Sequence, residues 1–226
     1  MDSLQWWRRS YERAESSTAS AQPSELAVEL SRSLVKPRRI IELGCGPAYD
    51  STYFARSGHR VVAADFVRVE PAWSQAAAAA PTLSFLICDL RHDLPLATGS
   101  IDVVYARLSL HYFSDDVTSR IFREIHRVLT PGGLFVFLCK STSDPLHGRG
   151  DALATNMFRI NDKVYHFFDE DFALTCLGDR FEVEELWSGP QETFGEPSHV
   201  VRVRARARAA RPISPDSSED RTPSLD

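Results

Sequence analysis

Short apolar runs alternate with amphipathic or alanine-rich segments over the first 140 residues of the chain. The runs predicted to be strands are residues 40–43, 60–65, 83–89, 101–106 and 134–139. Because most of them are apolar at consecutive positions, they are typical of strands buried on both faces. The segments predicted to be helices are residues 24–36, 51–58, 70–80 and 114–129. This alternation predicts an α/β fold with a mostly parallel sheet and helices on both faces.

The pattern changes after residue 140. Residues 181–187 and 199–206 read as two late strands joined by a Gly/Pro-rich link, which brings the predicted strands to seven. The segment before them shows no clear period and is predicted to be irregular. The predicted divisions are an N-terminal arm (1–20), one domain (21–208) that contains an insertion (141–170), and a disordered tail (209–226).

Composition narrows the class of protein only a little. The 226 residues are 43% hydrophobic and 25% charged, as in ordinary globular domains. The formal net charge of -5 argues against nucleic acid or an anionic membrane as partner. The N-terminus shows no signal peptide, and the longest apolar run, LFVFLC, is too short to span a membrane.

The cysteine spacing points away from a metal site. Cys45, Cys88, Cys139 and Cys176 form no C-x-x-C pair, so neither a zinc site nor a redox pair is indicated, and no metal is expected. We interpret them as small buried thiols, which fits a cytoplasmic protein.

A glycine turn, ELGCGPA, follows the first predicted strand. Gly44 and Gly46 would let the backbone turn tightly and come close to a bound molecule. In a parallel sheet, ligands bind outside the carboxyl ends of the strands. An ordinary strand-to-helix turn that happens to use glycine is the alternative.

Acidic residues stand at the ends of three successive predicted strands: Glu42, Asp65 and Asp89. Asp65 is placed to accept hydrogen bonds from ribose hydroxyls, and Asp89 to accept one from an adenine amino group. These positions therefore indicate a nucleoside-bearing ligand, the alternative being three solvated loop acids.

Tyr49 and Glu42 help to choose among such ligands. A dinucleotide fingerprint needs a small residue where Tyr49 stands, and a pyrophosphate disfavours an acid beside the turn. A cationic ligand without phosphate, such as S-adenosylmethionine, suits Glu42 better. An NAD-dependent oxidoreductase is therefore the weaker hypothesis.

Four segments in order resemble the class I S-adenosylmethionine-dependent methyltransferases: IELGCGPA, AAD at 63–65, CDLRHDLPLATGSIDVVYARLSLHYF, and FREIHRVLTPGGLFVF. The resemblance implies a Rossmann-like seven-stranded sheet in which the last strand is antiparallel. It also implies S-adenosylmethionine as cofactor. Ala48 replaces the third glycine of the turn; we expect its small side chain to be tolerated unless φ is positive there.

The resemblance assigns roles to particular residues. Glu42 would orient the methionine moiety, Asp65 would hold the ribose, and Phe66 would flank the adenine. Asp89 and the Leu90 N–H would meet the adenine, and the Arg107 backbone would meet the methionine ammonium. The implied cofactor site also includes Gly44, Gly46, Cys45, Cys88 and Leu108. Trp7 and Tyr11 resemble an arm that closes over the cofactor, although plain helix packing explains them equally well.

The acceptor side is less defined by sequence. Candidate bases or acceptor contacts are His111, Lys140, His147 and His166. His111 can instead pack beside the cofactor, and Lys140 can instead pair with a nearby acid. The insertion is long and aromatic, so we expect it to line the acceptor pocket and act partly as a lid. A satellite core under a loop is the alternative.

These features favour a small-molecule acceptor with an aromatic or apolar portion. The methylated atom and the oligomeric state are not readable. An RNA or protein methyltransferase is less favoured, because no [DN]-P-P-[YF] sequence is present and the basic stretch 202–211 reads as a strand with one wet face. A methyltransferase-fold module that holds the cofactor without turnover is the other alternative.

Overall fold

The computed structural model describes residues 22–209 together with residues 7, 9 and 11. Its strands are β1 (Arg39–Leu43), β2 (Arg60–Asp65), β3 (Leu83–Ile87), β4 (Ile101–Arg107), β5 (Leu129–Lys140), β6 (Asp151–Ala154), β7 (Met157–Ile160), β8 (Lys163–His166), β9 (Phe181–Thr193) and β10 (Glu196–Ala207). Its α-helices are α1 (Glu25–Ser33), α2 (Tyr49–Arg56), α3 (Ala72–Ala79), α4 (Asp115–Val128) and α5 (Glu170–Leu177). Most of the predicted arm and tail lies outside the described residues.

Seven strands form the main sheet in the order β3-β2-β1-β4-β5-β10-β9. The pairings among β1 to β5 are parallel, whereas β10 pairs antiparallel with both β5 and β9. The expected seven-stranded sheet with an antiparallel last strand is confirmed. This topology brings the carboxyl ends of β1, β2 and β4 to one edge.

Helices cover both faces of the sheet, as predicted. One apolar cluster joins the sheet to α4 and α5 through residues such as Ile121, Ile125 and Cys176. A second cluster joins the other face to α1, α2 and α3 through residues such as Leu30 and Phe54. The central strands are therefore buried on both sides, which explains their continuous apolar sequences.

The prediction that the segment after β5 is irregular was wrong. It contains a three-stranded antiparallel sheet in the order β6-β7-β8. Asn161 and Asp162, with φ of 49° and 65°, join β7 to β8. Two successive left-handed residues make the tight turn that suits a β-hairpin, and asparagine and aspartate tolerate that conformation well.

Two strand boundaries also differ from the prediction. β5 begins at Leu129, so the Pro-Gly-Gly sequence belongs to the strand, where the pairing register with β4 shifts. β9 continues through Gly189 and Pro190 to Thr193, so the expected link is instead part of a long hairpin. Its two-residue tip is Phe194 and Gly195, both with positive φ.

Candidate functional site

The glycine turn after β1 is clamped from two sides. The N–H groups of Gly44 and Cys45 both donate to the Ala64 carbonyl of β2, over 2.7 and 3.0 Å. On the other side, Ser109 donates to the Leu43 carbonyl over 2.6 Å. A Cβ at Gly44 would collide with the Cβ of Ser109, so the turn requires glycine there. Sequence reasoning missed Ser109, which no local pattern marks.

Gly46 connects the turn to Asp65 and to α3. Its N–H donates to Asp65 Oδ2 over 2.8 Å, and its carbonyl accepts from Trp73 Nε1 over 2.8 Å. Trp73 is buried, and its indole fixes the orientation of this peptide group. The one signal for it in the sequence is a single tryptophan in an otherwise alanine-rich helix.

Ala48, where the resemblance expects a third glycine, has φ 63° and ψ 35°. This is the left-handed conformation that L-residues adopt at a cost of about 1–2 kcal/mol. Ala48 is fully buried, and its N–H donates to the Cys45 carbonyl over 2.8 Å. The departure from glycine therefore carries backbone strain that the expectation of simple tolerance did not include.

Glu42 is buried beneath the turn. It accepts a hydrogen bond of 2.5 Å from the Ser51 hydroxyl at the start of α2. Burial, helped by the nearby Asp50, raises the pKa of Glu42 well above its usual value. Asp50 itself is held by Tyr105 and by both the N–H and the hydroxyl of Ser24. A network of acids and hydroxyls thus underlies the turn.

Asp65 ends β2 and is connected both to the glycine turn and to the N-terminal segment. Its carboxylate accepts hydrogen bonds from Gly46 N–H, from Val67 N–H over 3.0 Å and from the Tyr11 hydroxyl over 3.3 Å. Burial raises the pKa of Asp65 although these donors oppose the shift. Tyr11 also lies against the turn, 3.1 Å from where a Cβ of Gly46 would stand. Tyr11 of the predicted arm thus reaches Asp65, the residue predicted to hold the ribose.

Asp89 lies two residues beyond β3 and forms an ion pair with Arg91 over 2.7 Å. The hydrogen bonds from Arg91 lower the pKa of Asp89. The guanidinium of Arg91 also lies 5.6 Å from the ring centroid of Phe66. The Cys88 N–H, just before Asp89, donates to the Asp65 carbonyl over 2.8 Å. These bonds place Asp89 beside β2, in a partly open position; Leu90, which follows it, is half-buried.

Arg107 and Leu108 follow the same edge at the end of β4. Leu108 is buried with φ 54°, and its N–H donates to the Leu138 carbonyl over 2.8 Å. Arg107 is half-buried, and its guanidinium lies 5.0 Å from the ring centroid of Phe194 at the β9–β10 tip. Cys45 and Cys88 are buried nearby, and burial raises the pKa of both thiols, which keeps them protonated.

A chain of aromatic rings connects the arm to the segment after β4 and to the insertion. Trp7 lies 5.6 Å from Tyr11 and 5.0 Å from Tyr112, centroid to centroid. Tyr112 lies 5.4 Å from Tyr165 of β8. The ammonium of Lys163, at the start of β8, lies 4.7 Å from the Trp7 ring centroid. Sequence reasoning did not single out Lys163, because a lone lysine in a polar turn carries no local signal.

His111 is the predicted acceptor-side residue that lies within this aromatic group. Its ring stacks on Tyr165 at 5.9 Å and is buried. Burial, helped by the charges of Lys140 and Lys163, lowers the pKa of His111 to about 3. Its Nδ1 accepts from the Lys140 N–H over 3.5 Å, while Nε2 is enclosed with no hydrogen-bond partner among the described residues.

The other three candidates are engaged elsewhere. The Lys140 ammonium donates to Asp144 and to Ser198, each over 2.8 Å, as the ion-pair alternative anticipated. His147 contacts Asn156 over 3.2 Å and packs against Phe158 and Phe167. The fourth, His166, lies 3.5 Å from Asp115 at the start of α4 and packs on Phe172 of α5. The structure therefore does not bring the four together.

Two features are absent from the part of the chain that the structure describes. No helix there is both long and apolar enough to cross a membrane. No group of three or more histidine, cysteine, aspartate or glutamate side chains there is arranged to hold a metal ion.

Comparison with known proteins finds similarity to methyltransferases over the part of the chain that carries the glycine turn. Residues 41–137 match the family model described as a methyltransferase domain. An uncharacterized methyltransferase of Synechocystis sp. is 31% identical over 101 residues, covering 45% of this chain and 46% of that protein. A malonyl-[acyl-carrier protein] O-methyltransferase of Hamiltonella defensa is 29% identical, covering 46% of this chain and 38% of that protein. The matches thus span less than half of the length of these relatives.

A solved structure supports the fold over most of the chain. The 1,6-didemethyltoxoflavin-N1-methyltransferase of Burkholderia thailandensis, solved with 1,6-didemethyltoxoflavin and S-adenosylhomocysteine, superimposes with a TM-score of 0.69 at 22% identity. The superposition covers 88% of this chain and 84% of that one. The methyltransferase fold expected from the sequence is thus confirmed, and residues 41–137 are similar to a methyltransferase domain.

Proposed function

We propose that this class I methyltransferase domain transfers a methyl group from S-adenosylmethionine to a small-molecule acceptor. The observation that carries the proposal is the turn at Gly44–Gly46, whose N–H group at Gly46 is hydrogen-bonded to the Asp65 carboxylate over 2.8 Å. A close-approach turn beside a buried acid, at the carboxyl ends of parallel strands, suits a nucleoside ligand.

The residues at this edge fit that cofactor by their chemistry. Asp65 would accept from the ribose hydroxyls, and the half-buried Phe66 would flank the adenine. Asp89, oriented by Arg91, and the Leu90 N–H would recognise the adenine edge. Glu42 would orient the methionine ammonium together with the Arg107 backbone. When bound, the cofactor supplies a methyl group that its positive sulfur already activates.

Since the methyl group is already activated, positioning is the main task left to the protein. Good alignment alone can supply about 7–11 kcal/mol of the barrier. His111, with a pKa of about 3, is neutral near pH 7 and a poor base. Because Nδ1 accepts from Lys140 N–H, the neutral ring carries its proton on Nε2. We assign His111 the role of donating a hydrogen bond to the acceptor rather than abstracting a proton.

The acceptor would bind beside this aromatic group, with β6 to β8 of the insertion acting partly as a lid. Tyr112, Tyr165 and Trp7 suit an acceptor with an aromatic or apolar portion. Residues 202–206 give no support to an RNA-binding surface, because their arginines are paired with acids. Arg202 pairs with Glu29 and Glu185, and Arg204 pairs with Glu184. A cytoplasmic location is supported by the four cysteines, all free and buried.

An assay with methyl-labelled S-adenosylmethionine and a panel of phenols, amines and aromatic acids tests this function. We expect labelled product and S-adenosylhomocysteine with at least one acceptor, and much less of both in Asp65→Ala when S-adenosylmethionine is limiting, because this variant binds the cofactor more weakly. Asp116→Ala, which removes an exposed acid at the start of α4, is the matched control. Tight cofactor binding without transfer to any acceptor would favour the second candidate, a module that holds the cofactor without turnover.

A further inference from the structure

Arg107 stands out among the arginines at the carboxyl edge of the sheet. Its Nε is enclosed and has no hydrogen-bond partner, and its guanidinium makes no ion pair within the described part of the chain. Among the described residues, the Phe194 ring lies over this guanidinium, with its centroid 5.0 Å away. By contrast, Arg68 and Arg91, which follow β2 and β3 at the same edge, each pair with a carboxylate. An enclosed N–H without an acceptor is unfavourable, and an anionic ligand would satisfy it.

The strand register places Arg107 above Glu42. Glu42 of β1 pairs with Tyr105 of β4, so Arg107 lies two residues further toward the carboxyl edge. Residues two apart on a strand share a face, so the Arg107 side chain emerges on the face that carries the buried Tyr105. A buried carboxylate below and a guanidinium at the rim thus lie on adjacent strands, beside the glycine turn.

Phe194 arranges the guanidinium for such a ligand. The guanidinium carbon lies over the ring, 5.0 Å from its centroid, and the five N–H donors of a guanidinium lie in the plane of that group. This cation–π contact is not a hydrogen bond, so the guanidinium keeps N–H donors for two parallel hydrogen bonds to a carboxylate. Phe194 is 81% exposed and its φ is 54°, so the β9–β10 tip holds an exposed apolar residue in the left-handed conformation that favours glycine.

We propose that the Arg107 side chain, stacked on Phe194, binds the carboxylate of a ligand in the site above Glu42. The inference rests on the proposed function and adds an anion-binding side chain to it. The carboxylate can belong to the amino-acid end of the methyl donor, whose ammonium would face Glu42, or to the acceptor. Both sources share the chemistry that the fork recognises.

Calorimetric titrations with three probes distinguish these sources. The probes are S-adenosylhomocysteine, its analogue without the carboxylate, and benzoate added to protein saturated with S-adenosylhomocysteine. They are measured on wild type, Arg107→Gln and Arg107→Lys. Phe194→Ala keeps the charge but removes the stacked ring. Arg60→Gln, at the opposite edge of the sheet, is the charge control.

We expect Arg107→Gln to bind one of the probes that carry a carboxylate roughly 10–100-fold more weakly than wild type does. The affinity of Arg107→Lys should lie between those of Arg107→Gln and wild type. If the binding of S-adenosylhomocysteine weakens while the binding of the analogue without the carboxylate does not, the methyl donor supplies the carboxylate. If only the binding of benzoate weakens, the acceptor supplies the carboxylate.

Equal weakening of S-adenosylhomocysteine and its decarboxylated analogue in Arg107→Gln would mean a purely structural role and would overturn the inference. So would wild-type affinity of this variant for all three probes. A wild-type protein that does not bind S-adenosylhomocysteine would overturn both the inference and the proposed function.

Discussion

The Tyr11 hydroxyl donates a hydrogen bond to the Asp65 carboxylate over 3.3 Å. This bond joins the N-terminal segment to the end of β2, and it uses Oδ2, the same oxygen that accepts from Gly46. Ribose hydroxyls would need acceptor positions on this carboxylate. The arm residue and the proposed cofactor therefore compete for Asp65 in the arrangement described.

Replacement of Tyr11 by phenylalanine tests that competition. The ring that packs on Gly46 is kept, while the donor to Asp65 is removed. We expect S-adenosylhomocysteine to bind at least as tightly as in wild type, and up to about tenfold more tightly, because one net hydrogen bond of ~1 kcal/mol no longer has to be exchanged. A tenfold loss of affinity, measured by calorimetry, would show that the hydroxyl supports binding instead.

The glycine turn predicts a large difference between two glycine-to-alanine variants. Gly44→Ala and Gly99→Ala both place alanine at positive φ, 76° and 64°, but only at Gly44 does the new Cβ collide with Ser109. We expect Gly99→Ala to cost about 1–2 kcal/mol and Gly44→Ala a further ~1–3 kcal/mol, because the turn must shift. Urea denaturation measures both, and equal losses would contradict the clamped turn.

Buried His111 predicts a pH dependence of stability. Its pKa in the folded protein is about 3, whereas an unfolded histidine binds a proton near pH 6.5. As pH falls from about 6.5 toward 3, His111 binds a proton in the unfolded chain but not in the folded protein. The free energy of unfolding therefore falls by up to about 1.4 kcal/mol per pH unit. The free energy of unfolding of His111→Gln should fall less steeply. Parallel curves for the two proteins would count against burial of a neutral ring.

The Lys140–Asp144 pair predicts that Lys140 acts structurally. Side-chain exposure is 14% for Lys140 and 1% for Asp144, compared with 47% and 20% in the Arg39–Asp102 pair. Asp144→Asn leaves the Lys140 ammonium enclosed without its counter-ion, so we expect a loss of about 3–5 kcal/mol. Asp102→Asn should cost about 1 kcal/mol or less. Similar losses in thermal or urea denaturation would contradict this assignment.

The sequence was sufficient for the main sheet because its central strands are buried on both faces and therefore read as continuous apolar runs. Glu42 and Asp65 were also identifiable, because acids at the ends of such runs are conspicuous. The hairpin of β7 and β8 was missed although Asn161 and Asp162 offered a tight-turn signal. Its two strands have only four residues each and do not alternate strictly between apolar and polar residues, so no strand period marked them.

Contacts between residues distant in sequence were beyond local patterns. The bond from Trp73 to Gly46 joins residues 27 apart, and the bond from Ser109 to Leu43 joins residues 66 apart. The partner of Lys140 was undetermined for the same reason, since only the pairing of β5 with β10 brings Ser198 to it. Burial of His111, which makes it a poor base, likewise depends on the position of β8.

Parallel titration of S-adenosylhomocysteine into wild type and Asp65→Ala tests the central claim most directly. We predict saturable binding by wild type, no binding of NAD, and a loss of roughly 10–100-fold in Asp65→Ala, since each 1.4 kcal/mol is a factor of ten. Equal affinity of both proteins for S-adenosylhomocysteine, or binding of NAD in its place, would contradict the assignment of this edge of the sheet to the methyl donor.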